Sequence, residues 1–536
     1  MTQSSSRSTS ESPSNARMLG GVAAAAVSLG VAQVVGIFFP AQADPRNAVG
    51  SAIVDVTPGP VKELAIQALG GLDKLFLAVA VLVVIAAAAA IAATYETPRR
   101  PVGSAIFVVA GLLGCAAVIS RPGATALDLV PTVVGTACGV AALRLLAVRL
   151  WSGPDDQASV GPADDRAEVG PADEPAGVDA TRRMWLATAG LLGFGAATGL
   201  LGFVAARVVR SVAAERDTSA LPAPRVPAPP IPAGVQPKNV ALPSFVTDSA
   251  DFYRVDIALS VPQLSRQEWS LRIHGMVDRE ITYSFADLDR FEAVEKVVTL
   301  TCVSNPVGGD LISNGVWTGY RLTDLLTAAG VSPDADMLLS TSVDGFTVGT
   351  PVEALHDGRD ALLAIGLNGQ PLPVEHGYPA RLVVAGLYGY VSATKWVTDL
   401  ELTRFDRAEA YWTKQGWAAR GPIKTESRID VPRNGQQVPV GPATFGGVAW
   451  AQNRGVRAVE VRIDDGPWQP AQLGAAYSDQ TWRLWSFGWQ ATAPGAHTIT
   501  VRATDDTGAV QTSDQAPTVP DGATGWHTVN FTVAPS

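Results

Sequence analysis

Five apolar runs constrain this chain more than any other feature: roughly 18–39, 75–94, 102–119, 126–148 and 184–206. Each is long enough, or nearly so, to cross ~30 Å of hydrocarbon as a helix. Lipid satisfies no backbone polar group, so such runs predict a five-helix transmembrane anchor over 17–210, behind a short cytoplasmic tail at 1–16. Arg7, Arg17, Arg99, Arg100, Arg144, Arg149, Arg182 and Arg183 fall on one side if the N-terminus is cytoplasmic, against Arg207, Arg210 and Arg216 on the other. That orientation predicts a multi-pass protein of the plasma membrane with everything after the fifth run extracytoplasmic. The spans hold no histidine and almost no ionisable side chain away from their ends. They therefore read as anchor rather than transporter or membrane haem protein.

Beyond the anchor the composition changes. All five histidines, and nearly all Trp and Tyr, lie in 245–536. Two low-complexity segments intervene. Residues 152–180 are acidic and Gly/Pro-rich, the composition of a disordered loop. Residues 217–243 carry eight prolines inside a linker at 211–244; at ~3.1 Å per residue such a stalk reaches at most about 80 Å. Residues 245–420 mix strand-like runs with helix-like ones ("RLTDLLTAAGV", "VEALHDGRDALL") and predict an α+β domain. Residues 421–536 alternate with period two, Val459, Val461 and Ile463 against Glu460, Arg462 and Asp464, between Asp/Gly turns. This predicts an immunoglobulin-like β-sandwich.

The net charge of -10 gives no nucleic-acid surface. Three cysteines, two of them in apolar runs, leave one in the globular part, too few for a disulfide, a zinc site of cysteines or an iron–sulfur cluster. P-loop, dinucleotide, nucleophile-elbow and His-Glu-x-x-His patterns are absent. What stands out is Cys302, where a β-branched strand ("VVTLTC") runs into a Gly/Asn-rich loop. A lone cysteine there is a buried structural residue, a nucleophile with His376 as base, or a thiolate for a soft transition metal. A second concentration, "HGYPARLVV" followed by "ATKW", gathers His376, Arg381 and Lys395 on loops near glycines, which suits an anionic, phosphate-bearing ligand.

Taken together and in order, "FYRVDIALSVP", "TLTCVSN", "GVWTGYRLTDLL", "SVDGF", "LLAIGLNGQPLP", "HGYPARLVV" and "ATKW" resemble the sulfite oxidase family of molybdopterin enzymes, with the match running over 245–530. "GVAWAQNRGVRAVEVRIDDGPWQPA" is similar to that family's C-terminal domain, often used for dimerisation. The resemblance implies a molybdenum–molybdopterin cofactor with Cys302 as the metal's protein thiolate. Tyr253 and Arg254 would contact the cofactor, His376 and Arg381 would grip its phosphate, and Thr394 and Lys395 would close over it. Asp344 would line the site, with Cys302, Arg254 and Asp344 nearest the chemistry. One departure stands beside the match. The family carries arginine soon after the cysteine's asparagine, whereas Asn305 here precedes Pro306, Val307 and Gly308, so the positive pocket for sulfite is weakened.

The function implied is two-electron oxygen-atom transfer outside the membrane on a small molecule of the sulfite or S-/N-oxide type. Electrons would pass to a separate carrier, a cytochrome or a quinone-linked protein. The rival readings are a non-catalytic surface binding or adhesion protein with a degenerate oxidoreductase fold, and a cysteine hydrolase. Arg182-Arg183 before a Trp-Leu pair and the fifth run resembles a twin-arginine signal, suited to exporting a domain already loaded with cofactor.

Overall fold

A computed structural model describes residues 13–58, 61, 73–121, 123–151 and 176–534. The predicted tail up to residue 12 and the acidic segment over 152–175 lie outside the described residues. The chain forms two compact units, Met1–Ser211 with Ala258–Ser260, and Val212–Ile257 with Val261–Ser536.

The first unit is helical: α1 (Pro13–Gly36), α2 (Pro45–Val56), α3 (Asp73–Thr94), α4 (Val102–Ile119), α5 (Val130–Leu150) and α6 (Ala176–Arg210). Among the described residues five helices are long and apolar enough to cross a membrane, matching the five runs. Small residues let α1 approach its neighbours closely. A Cβ on Gly195 of α6 would fall 2.5 Å from the backbone of Ala26, and one on Gly139 of α5 would fall 2.7 Å from Ser28. The large apolar side chains point the other way: Phe76, Val83, Leu112, Leu113, Leu200 and Leu201 are all exposed. Arg144 is paired rather than bare. It donates to the fully buried Glu96 at 2.9 Å, whose other oxygen accepts the Ser104 amide at 2.8 Å.

The second unit is β-rich. One sheet runs in the order β2 (Ile281–Ser284), β1 (Ser270–Gly275), β10 (Val397–Thr403), β5 (Met337–Ser342), β6 (Thr347–Pro351), with β1 and β10 parallel. An antiparallel sheet joins β3 (Ala293–Thr301), β4 (Ile312–Arg321), β7 (Ala361–Leu367) and β8 (Gln370–Pro371), with β9 (Arg381–Val384) also on β7. Toward the C-terminus, β11 (Glu426–Val431), β13 (Gly441–Trp450), β17 (Arg483–Ala491) and β16 (Gln472–Leu473) form one sheet. The last sheet holds β12 (Gln436–Val438), β19 (His527–Val533), β18 (Gly495–Asp505), β14 (Val456–Ile463) and β15 (Gln469–Pro470). These two sheets share a core in which Val459, Val461 and Ile463 meet Phe445, Trp485 and Phe531. The predicted alternation along β14 is therefore realised.

Three expectations need correction. The α+β balance is tilted strongly toward β. "RLTDLL" does yield a short helix at Leu322–Thr327, but in the second helix-like run only Val352–Leu355 turns, as a 3-10 segment. Gly358, at φ 94°, breaks that run, and "ALLAIGL" behind it is buried along its whole length as β7. The proline segment is extended but not detached. Arg225 and Val226 make backbone hydrogen bonds to Ala293 and Glu295, and Val235 is buried in the main core. Proline lacks an amide donor but not a carbonyl, so such a strand still serves as a partner along a sheet edge. Finally, the two halves predicted to part near residue 420 share one core. Val448, Trp450, Trp482 and Leu484 pack with Trp269, Ile273, Leu363 and Leu400.

Candidate active site

Cys302 lies one residue past β3. Its amide donates to Leu311 O at 2.9 Å and its carbonyl accepts from Asn305 N at 3.1 Å, so a tight loop returns the chain to β4. Asn305 Oδ1 accepts the Leu311 amide at 2.9 Å. Its Nδ2, in a side chain that is 3% exposed, has no hydrogen-bond partner among the described residues. The thiol is half-buried, and the three cysteines form no disulfide.

Tyr253 sits in the extended segment before β1, its amide on Ser313 Oγ at 3.0 Å. Its hydroxyl and the Thr301 carbonyl both approach Gly389. Burial, then the nearby Cys302 charge, push the phenol well above its ordinary range, so it stays protonated. Phe252 lies edge-on to Trp317 at 5.4 Å and to His376 at 5.7 Å, walling the other side.

Arg381, first residue of β9, is 6% exposed. Its guanidinium lies 5.2 Å from the centre of the Trp317 ring and donates to the carbonyls of His376 (3.1 Å), Ala393 (3.2 Å) and Leu382 (3.4 Å). No carboxylate among the described residues pairs with it, and burial pulls it down to about 10. Lys395 bridges backbone to Arg381 across a single β-bridge. Its Nζ donates to Asp256 Oδ2 at 2.9 Å and to Glu375 O at 3.2 Å. Burial pulls it down to about 8, with Asp256 opposing. The same Asp256 oxygen accepts from Arg254 Nε at 2.7 Å. Gly377, at φ 111°, makes this closeness feasible, since a Cβ there would lie 3.1 Å from Arg381 Cβ and 3.2 Å from Lys395 Cα.

His376 is buried, and burial together with Arg381, Lys395 and Arg254 pulls it down to about 3. Such an imidazole is neutral and a poor proton acceptor at pH 7, which speaks against His376 as the base of a cysteine hydrolase. The two remaining predicted residues make other contacts. Thr394 is fully buried with its hydroxyl on Ser340 Oγ at 2.6 Å. Asp344 accepts the Phe346 amide at 3.1 Å within the turn joining β5 and β6. A cleft of about 340 Å³ opens beside the cysteine loop, lined by Tyr253, Arg254, Asp310, Leu311, Ser313 and Arg428.

Sequence reasoning missed Asp256, Trp317 and Arg428. Asp256 stands two residues after Arg254 inside a quoted motif, so its ion pairs were within reach. Arg428 has no local signal at all.

A half-buried thiol near a buried guanidinium that has carbonyl but no carboxylate partners among the described residues suits a ligand that carries a thiolate-binding metal and an anionic group. The family described as "Oxidoreductase molybdopterin binding domain" matches residues 258–412. The chain is 32% identical over 154 residues to the "Uncharacterized oxidoreductase YuiH" of Bacillus subtilis, covering 29% of this chain and 74% of that protein. It is 29% identical over 354 residues to mitochondrial sulfite oxidase of Macaca fascicularis, covering 56% of this chain. The chain spans 64% of that sulfite oxidase's length. A solved structure, the sulfane dehydrogenase SoxCD of Paracoccus pantotrophus, is 24% identical over 55% of this chain and 85% of its own, with a TM-score of 0.46.

The chain is a molybdopterin-binding oxidoreductase, an enzyme whose cofactor is molybdenum–molybdopterin. It belongs to the sulfite oxidase family. The residues present fit that cofactor: Arg381 is a buried guanidinium whose partners among the described residues are carbonyls and no carboxylate, and Asn305 Nδ2 is a buried donor with no acceptor among them.

Proposed function

We propose that this enzyme catalyses two-electron oxygen-atom transfer between water and a small sulfur- or nitrogen-centred substrate, of the sulfite or S-/N-oxide class, while anchored in the plasma membrane with its catalytic unit outside. The observation that carries the reading is Arg381, a guanidinium taken out of water and given carbonyls but, among the described residues, no carboxylate. Isolated buried charge is costly, and a phosphate ester answers it. Arg381 and Lys395 would bind that phosphate, with neutral His376 as a hydrogen-bonding neighbour, and Thr394 would fix the segment that closes over it. Cys302 would hold the metal through its sulfur. Tyr253, protonated at all working pH, would present a hydroxyl beside that sulfur. Arg254, tied to Asp256, would stand at the cleft where substrate enters, with Asp344 shaping the turn nearby. When bound, the molybdenum centre supplies the oxygen-atom and electron-pair chemistry.

The exposed apolar faces of α3, α4 and α6 support lipid as the anchor's surroundings, since such area in water would drive association. Orientation follows the arginine distribution. The helical unit would be the anchor, and the sheets formed by 426–533, which share a core with the catalytic part, would be the immunoglobulin-like sandwich and the surface for a homodimer. Arg182 and Arg183 are exposed at the start of the apolar part of α6, consistent with a twin-arginine signal. Electrons would leave through a separate carrier, cytochrome or quinone-linked.

The test is X-ray absorption at the molybdenum edge of the detergent-purified chain. Cys302→Ser should have one sulfur ligand fewer than wild type. Identical sulfur shells in the two proteins would reject Cys302 as the metal's thiolate.

A further inference from the structure

The two flanks of Cys302 are held from the C-terminal sheets. On the strand side, Trp482 N donates to Thr299 Oγ1 at 2.8 Å, and Thr299 N donates to Gln480 O at 3.1 Å. Gln452 Nε2 donates to Thr301 Oγ1 at 3.2 Å, one residue before the cysteine. On the loop side, Arg428 of β11 donates from Nη1 to Gly309 O at 2.9 Å and from Nε to Asp430 Oδ1 at 2.9 Å. The ring of His527, first residue of β19, lies directly against Gly308, which adopts φ 77°. His527 is itself fixed, its Nδ1 accepting the Ile429 amide at 3.0 Å.

The Arg428 side chain is 8% exposed, so its position is set by packing and not by solvent. Between Thr301 and Leu311 the loop carries its own bonds, Gly309 N to Pro306 O at 2.8 Å and Leu311 N to Asn305 Oδ1 at 2.9 Å. Those bonds fix the loop's shape. The contacts from Arg428 and His527 fix where that shape sits relative to β3, and so where the sulfur points. Side chains held by packing and a second set of hydrogen bonds are what keep a metal ligand in register.

We propose that Arg428 and His527 are positioning residues for the Cys302 sulfur, so that the C-terminal sheets are a working part of the redox centre although they supply no ligand to it. This rests on the reading of Cys302 as the molybdenum thiolate. Among the described residues, neither hydrogen-bonds to Arg381 or Lys395, whose partners lie elsewhere. Their loss should therefore disturb the metal end and spare cofactor retention.

The test uses the full chain in detergent, as Arg428→Ala, Arg428→Lys and His527→Ala, with the exposed Arg457→Ala as control. In cofactor-less protein, Cys302 alkylation by iodoacetamide should quicken about fivefold or more in Arg428→Ala and His527→Ala, the scale expected when a loop loses about 1 kcal/mol of local stability. Arg428→Lys, which keeps a donor for Gly309 O but not the fork to Asp430, should fall between. In loaded protein, molybdenum content should hold while the paramagnetic signal of the partly reduced metal shifts or broadens. Wild-type alkylation rates and signals in both alanine variants would overturn the proposal. So would molybdenum loss matched by a fall in melting temperature in every Arg428 variant, because that describes a general stability role. Failure of the underlying reading is separable: sulfur shells unchanged by Cys302→Ser would remove the ligand while leaving the alkylation result to stand or fall alone.

Discussion

The two ends of the site are built by opposite strategies. The anion end is local. His376, Gly377, Arg381 and Lys395 lie within twenty residues, and Arg381 is held by backbone carbonyls of that same stretch. The thiol end is long-range: Cys302 takes its place from Thr299 and Gly309, whose partners are Trp482, Gln480 and Arg428. A pocket for phosphate needs only charge and donors at roughly the right depth. In its proposed role as the metal's thiolate, the Cys302 sulfur needs a fixed direction, which a second layer of packed structure gives.

That contrast can be broken most severely from beneath. Trp317 is fully buried, supports Arg381 with its ring face and donates to Val298 O at 3.2 Å. Trp317→Ala should cost about 3–5 kcal/mol, and denaturant titration of the detergent-solubilised chain should show it. The thiol end has its own vulnerable residue. Thr299 Oγ1 accepts from Trp482 N and donates to Asn314 Oδ1 at 2.9 Å, with no exposure. Thr299→Val leaves both partners unpaired and should cost about 1–3 kcal/mol. It should alter the metal's paramagnetic signal more than its content, whereas Gly377→Ala should do the reverse. At φ 111° an alanine is strained by about 1–3 kcal/mol and pushes Arg381 from Lys395, so pterin content falls.

A further effect is a pH dependence with a defined sign. His376 titrates near 3 in the folded chain against ~6.5 unfolded, and Lys395 near 8 against ~10.4. In both windows the unfolded chain binds more protons, so stability rises with pH across each. For His376 this stability is present above the unfolded value and lost as pH falls toward about 3. Melting of the cofactor-less chain between pH 8 and 10 should rise with pH, and Lys395→Met should flatten that rise. A fall with pH that Lys395→Met leaves unchanged would mean that burial does not make Lys395 give up its proton earlier in the folded chain than in the unfolded one.

The same contrast explains what could be read from the sequence. The anion end was legible because its residues are neighbours with an obvious shared charge. The apolar helices were legible because length and hydropathy alone define them. Cys302 stood out by position and motif, but Arg428 and His527 are separated from it by more than a hundred residues, and neither has a pattern that names its partner. The proline segment misled because composition reports backbone preference and not the edge it lies against. "VEALHDGRDALL" misled because a continuous apolar run is ambiguous between helix and buried strand until its sheet neighbours are known.

The most direct test of the central claim is the molybdenum and pterin content of the full chain purified in detergent from molybdenum-replete cells, compared with Arg381→Met. The wild type should hold stoichiometric metal and pterin and the variant neither, with the variant at least as stable as the cofactor-less wild type. Wild-type protein without molybdenum, or Arg381→Met retaining its full pterin, would contradict it.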